Sequence, residues 1–326
     1  MINSYEELQK LFTKPEDTTA GVAFGNPPGM PTFDEAKVIV YGVCFDDTAT
    51  CGKGSERGPE ALRHASARQI ETLVLDEGID VYEKVPIFDL GDLKIRHTLS
   101  EEERKALQSE EGGKEKLKKV LEQFEVLKEV TPFIVSRGKI PLMIGGEHTL
   151  SYWPLCAVGE KKPVVIHFDA HRDAKEVYMG MKLCHTTPMY HFLKKFKADF
   201  IQIGIRQADQ QEENFAKKTM TTFYPADVKK DLDSVKRFLK EKTRNRDVYI
   251  TFDIDVLDIC YTPCTGTPEP FGLTPDEVVE LFKAIDPSAR LIGADFVEVA
   301  VKNDDFREGT IAVQLLLRLL AREYVK

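Results

Sequence analysis

Val164-Val165-Ile166-His167-Phe168-Asp169-Ala170-His171-Arg172-Asp173 opens as a short apolar run and closes on three residues of metal-ligating type at i, i+2 and i+4. Successive side chains of an extended strand point to opposite faces, so Asp169, His171 and Asp173 project together if the extension persists. Two carboxylates and an imidazole on one face repel or desolvate one another unless a cation lies between them. The pattern recurs in Val248-Tyr249-Ile250-Thr251-Phe252-Asp253-Ile254-Asp255, and a third apolar run, Ile140-Pro141-Leu142-Met143-Ile144, leads into Gly145-Gly146-Glu147-His148. Three strands that each deliver ligands at their C-terminal ends build a site where open parallel α/β sheets place theirs. His148, Asp169, His171, Asp173, Asp253 and Asp255 are too many for one zinc site and suit two metals sharing bridging carboxylates.

Working outward, further strands are expected over 37–43, 85–92, 200–205 and 291–299. Pro59 sits in the first turn of a helix. Ser100-Glu101-Glu102-Glu103 reads as a capping box, and Leu117, Val120, Leu121, Phe124 and Leu127 follow helical spacing. One amphipathic helix is expected over 228–242, another from Thr274 to about Ile285, and a closing helix from Thr310 to Val325. Strands alternating with helices specify an α/β fold: a mainly parallel sheet with helices on both faces, a three-layer sandwich. Residues 1–36 combine an amphipathic piece with the Gly- and Pro-rich Gly25-Asn26-Pro27-Pro28-Gly29 and read as an arm over the domain or a neighbouring subunit. Residues 37–326 read as a single catalytic domain. Asp89 and Asp92 read as a turn closing their strand. The glycines of the 44–54 loop lack a phosphate-loop pattern.

The chain has 326 residues, 42% hydrophobic and 30% charged, with a formal net charge of −9. That balance argues against a nucleic-acid surface, which wants a basic patch, and suits a cationic substrate. The N-terminus is acidic without an apolar core, and no run approaches the ~18 apolar residues of a membrane helix, so a cytoplasmic protein is expected. Six cysteines are too few for a disulfide scaffold. Cys260 and Cys264 stand beside the second acidic motif, where a disulfide or soft-metal site competes with plain packing.

Gly145-Gly146-Glu147-His148, Asp169-Ala170-His171-Arg172-Asp173 and Thr251-Phe252-Asp253-Ile254-Asp255-Val256-Leu257-Asp258 resemble the three metal signatures of the ureohydrolase family, which holds arginase and agmatinase. Arg57-Gly58-Pro59-Glu60-Ala61-Leu62-Arg63 resembles the family's early Gly-Pro-x-x-Ile-Arg segment. Thr265-Gly266-Thr267-Pro268-Glu269-Pro270 is similar to the agmatinase form of its Gly-rich loop. The resemblance runs from about residue 38 to the C-terminus. The chain departs from the pattern at Ile259, Cys264 and Ala300-Val301-Lys302, none of which removes a ligand. The resemblance implies a three-layer α/β/α sandwich, homo-oligomers (trimers or hexamers) and two Mn2+ per subunit. Four carboxylates among six ligands also favour manganese over zinc.

The resemblance further implies that Asp169 and Asp253 bridge the metals, that His148 and Asp173 complete one set, and that His171 and Asp255 complete the other. A metal-bridging hydroxide would attack the guanidinium carbon, with Asp173 as proton acceptor and donor, His185 as proton shuttle and Glu298 holding the guanidinium through paired hydrogen bonds. His167 shares the ligands' parity but lies deeper, as a packed histidine behind them. Asp258 shapes its loop.

The expected partner is therefore a small guanidino substrate. The 174–184 loop lacks the Asn and Ser cluster of arginases, which favours agmatine, hydrolysed to putrescine and urea. Glu176 is a candidate for the distal amine, and Lys175 or Lys182 for a carboxylate in its place, as in guanidinobutyrate. The rivals are an arginase, a guanidinobutyrase-type enzyme, a single-zinc deacetylase-like amidohydrolase and a silent regulatory subunit.

Overall fold

The computed structural model describes residues 1–25, 29–107 and 111–323. Residues 26–28 of the Gly- and Pro-rich stretch and Val325 of the closing helix lie outside the described residues. Runs such as Val38-Ile39-Val40-Tyr41 and Val164-Val165-Ile166 carry β-branched and aromatic side chains that fit strands buried on both faces. Nine strands form one sheet: β1 (Phe12–Thr13), β2 (Val38–Val43), β3 (Ile87–Leu93), β4 (Ile140–Gly145), β5 (Val164–Phe168), β6 (Asp199–Ile203), β7 (Thr221–Phe223), β8 (Asp247–Asp253) and β9 (Arg290–Val297). Their order is β1-β3-β2-β4-β9-β8-β5-β6-β7. Every pairing is parallel except β1 with β3, where Phe12 faces Leu93.

Side-chain alternation sends Val164, Ile166 and Phe168 to one face, where they join a core with Val278, Leu281, Phe282 and Leu316. The opposite face is covered in two patches: Ile39, Tyr41 and Met143 pack with Leu117, Val120, Phe124 and Trp153, while Val165 and Tyr249 pack with Met189 and Phe192. Helices on both faces complete three layers. Ser100 and Glu103 form the expected reciprocal cap (2.9 and 3.2 Å), as do Thr274 and Glu277.

Several expectations need correction. The 228–242 helix is two, Pro225–Lys230 and Leu232–Thr243, because Asp231 interrupts it and caps the second through the Ser234 N–H (2.9 Å). The closing helix begins earlier, at Arg307, and β9 ends at Val297. Asp89 and Asp92 are not in a turn: both lie within β3 and clamp the fully buried Arg63 guanidinium at 2.8 and 2.5 Å. All six cysteines are free thiols.

Candidate active site

Four adjacent strands, β4, β9, β8 and β5, end side by side, and each passes a ligating residue or an acid into the turn that follows. The side-chain alternation that was expected to aim these groups does not persist far enough to do so. Asp173 lies five residues past the end of β5 and takes a left-handed backbone, φ 49°. Asp255 follows Asp253 on a turn of 3-10 helix, held because Asp253 Oδ1 accepts its N–H at 2.9 Å. The Asp255 carboxylate in turn accepts the Ala170 N–H at 2.9 Å, tying the β8 and β5 turns together. Arg206 pins the same turns from outside by donating to the carbonyls of Asp255, Leu257 and Glu269 (2.7, 3.0 and 2.9 Å).

The six expected ligands converge. His148 Nδ1 lies 3.0 Å from Asp169 Oδ2, 3.1 Å from Asp173 Oδ2 and 3.2 Å from Asp253 Oδ2. His171 Nδ1 lies 2.9 Å from Asp255 Oδ2 and 3.5 Å from Asp169 Oδ1. The two oxygens of Asp169 thus face two different imidazoles. Ligands about 2.1–2.2 Å from a shared cation at right angles sit about 3 Å apart, the spacing around His148.

The donor chemistry fits a cation too. His148 Nε2 is 2.9 Å from Thr251 Oγ1, whose own proton goes to Asp295 Oδ1 at 2.7 Å. The Nε2 must therefore donate, so that in the neutral ring, the form that ligates a metal, Nδ1 is the lone pair. That atom is buried with three carboxylate oxygens around it, an arrangement that demands a positive charge, from a proton on the ring or from a cation in its place. Burial first, then the Asp169 charge, pushes the Asp173 carboxyl up to about 7. Burial, then Asp255 and Asp169, raises Asp253 well above the carboxylate range. Burial works to lower His148, yet Asp169, Asp173 and Asp253 together raise it well above its ordinary value.

His167 sits behind the ligands, fully buried. Arg172 Nη1 donates to Gln202 Oε1 (2.7 Å), so the Gln202 amide nitrogen faces His167 Nδ1 (3.0 Å), and His167 Nε2–H donates to Asp169 Oδ2 (2.7 Å). With its proton on Nε2, His167 orients Asp169 and offers that nitrogen to no metal.

Glu298 and His185 border the same cavity, of ≈ 180 Å³, with His171, Asp173, Asp253, Asp255, Thr50, Tyr178 and Thr267. Glu298 has a left-handed backbone, φ 60°; its N–H goes to Gly146 O (2.8 Å) and its carbonyl accepts Thr265 Oγ1–H (2.9 Å). Its Oε1 accepts the His148 N–H at 2.8 Å, and burial, then Glu147, pushes its carboxyl up to about 8. Burial, then His171, lowers His185 to about 4, so its ring is neutral near pH 7. A larger hollow of ≈ 580 Å³ beside Arg206, Tyr224 and Phe271 contains none of the six ligands.

Two candidates stay outside. Glu176 is exposed and does not border the cavity, and Lys182 borders a separate groove. Lys175 does border it, but its ammonium is paired with Asp209 and with Glu212 (2.8 Å). Asp258 shapes its loop as expected, accepting the N–H groups of Cys260 and Gly272 (3.1 and 3.0 Å). Sequence reading missed Thr48 and Glu147. Strand parity aims Glu147 away from His148, and nothing local in the 44–54 loop marks Thr48.

Residues 36–321 match the sequence model of the family described as the arginase family. The chain belongs to the arginase family. An agmatinase of Bacillus anthracis is 32% identical over 91% of this chain and 94% of its own. The mitochondrial guanidino acid hydrolase of Homo sapiens is 29% identical over 84% of this chain and 75% of its own. Among solved structures, the agmatine ureohydrolase of Thermoplasma volcanium superimposes with a TM-score of 0.75 at 28% identity, covering 97% of each chain. The arginase-family chain is a hydrolase of C–N bonds in linear amidines, on the three-layer α/β/α arginase fold. The deacetylase reading falls with that assignment.

Proposed function

We propose that the chain hydrolyses agmatine to putrescine and urea, with two Mn2+ held by His148, Asp169, His171, Asp173, Asp253 and Asp255. When bound, such a pair supplies a nucleophilic water at neutral pH. Glu298 takes the guanidinium with its carboxylate, anchored by the His148 N–H. Asp173 accepts the proton released as the new C–O bond forms and returns it to the leaving alkyl amine as the C–N bond breaks. His185 passes protons between the cavity and solvent.

The observation that carries the choice of agmatine is the charge of the cavity wall. Asp173, Asp253, Asp255 and Glu298 face it, and among the described residues bordering it Lys175 is the one lysine or arginine, already paired with two acids. A substrate carboxylate, in arginine or guanidinobutyrate, finds no free cation there; with the aspartates taken by metal and Glu298 by the guanidinium, it is this lack of a partner for a carboxylate that favours agmatine. Similarity alone does not separate these substrates, since relatives acting on agmatine and on guanidino acids match comparably.

The test is urea release from agmatine, arginine, guanidinobutyrate and guanidinopropionate, with manganese added and metal per chain counted on the same sample. Faster turnover of arginine or guanidinobutyrate than of agmatine would overturn the substrate, and one metal per chain would overturn the pair. The proposal includes a cytoplasmic trimer or hexamer, the assembly that the family resemblance implies. A monomer mass in light scattering would remove that part.

A further inference from the structure

A threonine hydroxyl has one proton to give and two lone pairs to receive with. All three are spoken for at Thr48, which is 1% exposed. Its proton goes to Glu147 Oε1. One lone pair accepts the His185 backbone N–H at 3.0 Å, and the other faces His185 Nδ1 at 3.3 Å. Thr149 gives its proton to the same Glu147 oxygen, so its hydroxyl, 3.2 Å from that of Thr48, brings no competing donor. Glu147 is fully buried, and as a carboxylate it accepts from both hydroxyls and, at 2.7 Å, from the Thr48 N–H.

This arrangement is built into the backbone. Glu147 N–H donates to Phe45 O at 2.8 Å, and a Cβ on Gly146 would come within 1.9 Å of that same oxygen. Only glycine lets the β4 turn approach the β2 loop closely enough for Glu147 to reach Thr48.

We propose that Glu147, acting through the Thr48 hydroxyl, fixes the tautomer of His185, with the proton on Nδ1 and the lone pair on Nε2. Thr48 and Glu147 are thus positioning residues for the proton shuttle. The carboxylate orders the hydroxyl, the hydroxyl can only accept from the ring, and the ring must present Nε2 on the side of Thr50, whose Oγ1 is 3.5 Å away and which borders the cavity with His185. A neutral histidine with the opposite tautomer would offer the cavity an N–H and could take up no proton there. The inference rests on the shuttle role proposed for His185.

The experiment is a double-mutant cycle on the manganese-loaded enzyme with agmatine. His185→Asn comes first: wild-type turnover in that variant would end the shuttle reading, and this inference with it. With His185→Asn impaired, Thr48→Val, which keeps the shape and removes the hydroxyl, should lower kcat by about 10–100-fold with KM within about twofold. Thr48→Ser should restore kcat to within about threefold of wild type, and Thr48→Val should cost nothing further in the His185→Asn background. Wild-type kcat in Thr48→Val, or an equal loss in both backgrounds, would overturn the inference while leaving the shuttle intact. Should Thr48→Val fail to fold, 15N shifts of the His185 ring in zinc-loaded wild-type protein decide it, and a protonated Nε2 would overturn it.

Discussion

Glu298 accepts the backbone N–H of His148 across 2.8 Å. The acid proposed to hold the substrate is therefore fastened to the residue beside which three carboxylates gather. Substrate position and ligand position are set by one peptide unit.

That fastening makes Glu298→Gln a clean probe. The amide keeps an oxygen for His148 N–H but removes the charge that meets a guanidinium. Charge-assisted hydrogen bonds are worth about 1.5–3 kcal/mol, so kcat/KM for agmatine should fall about 10–100-fold with metal content unchanged. Loss of metal along with activity would show that Glu298 belongs to the ligand set.

Metal-free protein should be an acid-preferring fold. Burial raises Asp173 to about 7 and Glu298 to about 8, well above their unfolded values of about 4. Between those values the native chain holds protons that the unfolded chain has released, so stability falls as pH rises from about 4 towards 8. The raised pKa values of His148 and His171 push in the same direction, whereas Asp169, held well below its ordinary value, costs stability only in stronger acid. Thermal unfolding of chelator-treated protein should show Tm dropping over this range, and manganese should flatten the slope. Parallel slopes with and without metal would contradict the assignment of the cluster as a cation site.

His167→Phe keeps a ring in the buried slot and deletes the donor to Asp169. Partners behind a ligand are worth about 10–100-fold in metal affinity, and a loss of that size should appear in metal titration while the fold is retained. Unchanged affinity would mean that the His171 backbone N–H, which donates to Asp169 Oδ1 at 2.5 Å, orients that carboxylate without help from His167.

Arg63→Met leaves the buried Asp89 and the partly buried Asp92 without the cation they share. Removing one partner of a buried ion set costs about 3–5 kcal/mol, far more than an exposed pair would. Chemical denaturation should show it, and a loss under about 1 kcal/mol would mean that water reaches the triad.

The strands carrying the ligands were legible because β4, β5 and β8 are short, largely apolar runs that lead into Gly, His and Asp residues. The edge strands Phe12–Thr13 and Thr221–Phe223 were not, since two or three residues give no periodicity to read. Five of the six ligands, all but His148, were found through an alternation argument that holds at Asp169 but not at Asp173 or Asp255. These two are delivered by a left-handed residue and a 3-10 turn, conformations that period-two reasoning cannot foresee. Asp89 and Asp92 were misread because a carboxylate near a strand end looks the same in sequence whether it closes a turn or clamps a distant arginine. Glu147 and Thr48 escaped because their contact joins positions 99 residues apart.

The order in which the strands lie differs from the order in which they are made. β9 is the last strand, yet it is wedged between β4 and β8. A growing chain that has released residue 255 already carries all six ligands, but β4, which brings His148, has no neighbour to set it against the acids of β5 and β8. The ion centre is thus completed late in the life of the chain, closed by a strand that contributes no ligand of its own, and a fragment ending before Arg290 should carry every ligand but lack the strand that sets His148 against the acids of β5 and β8.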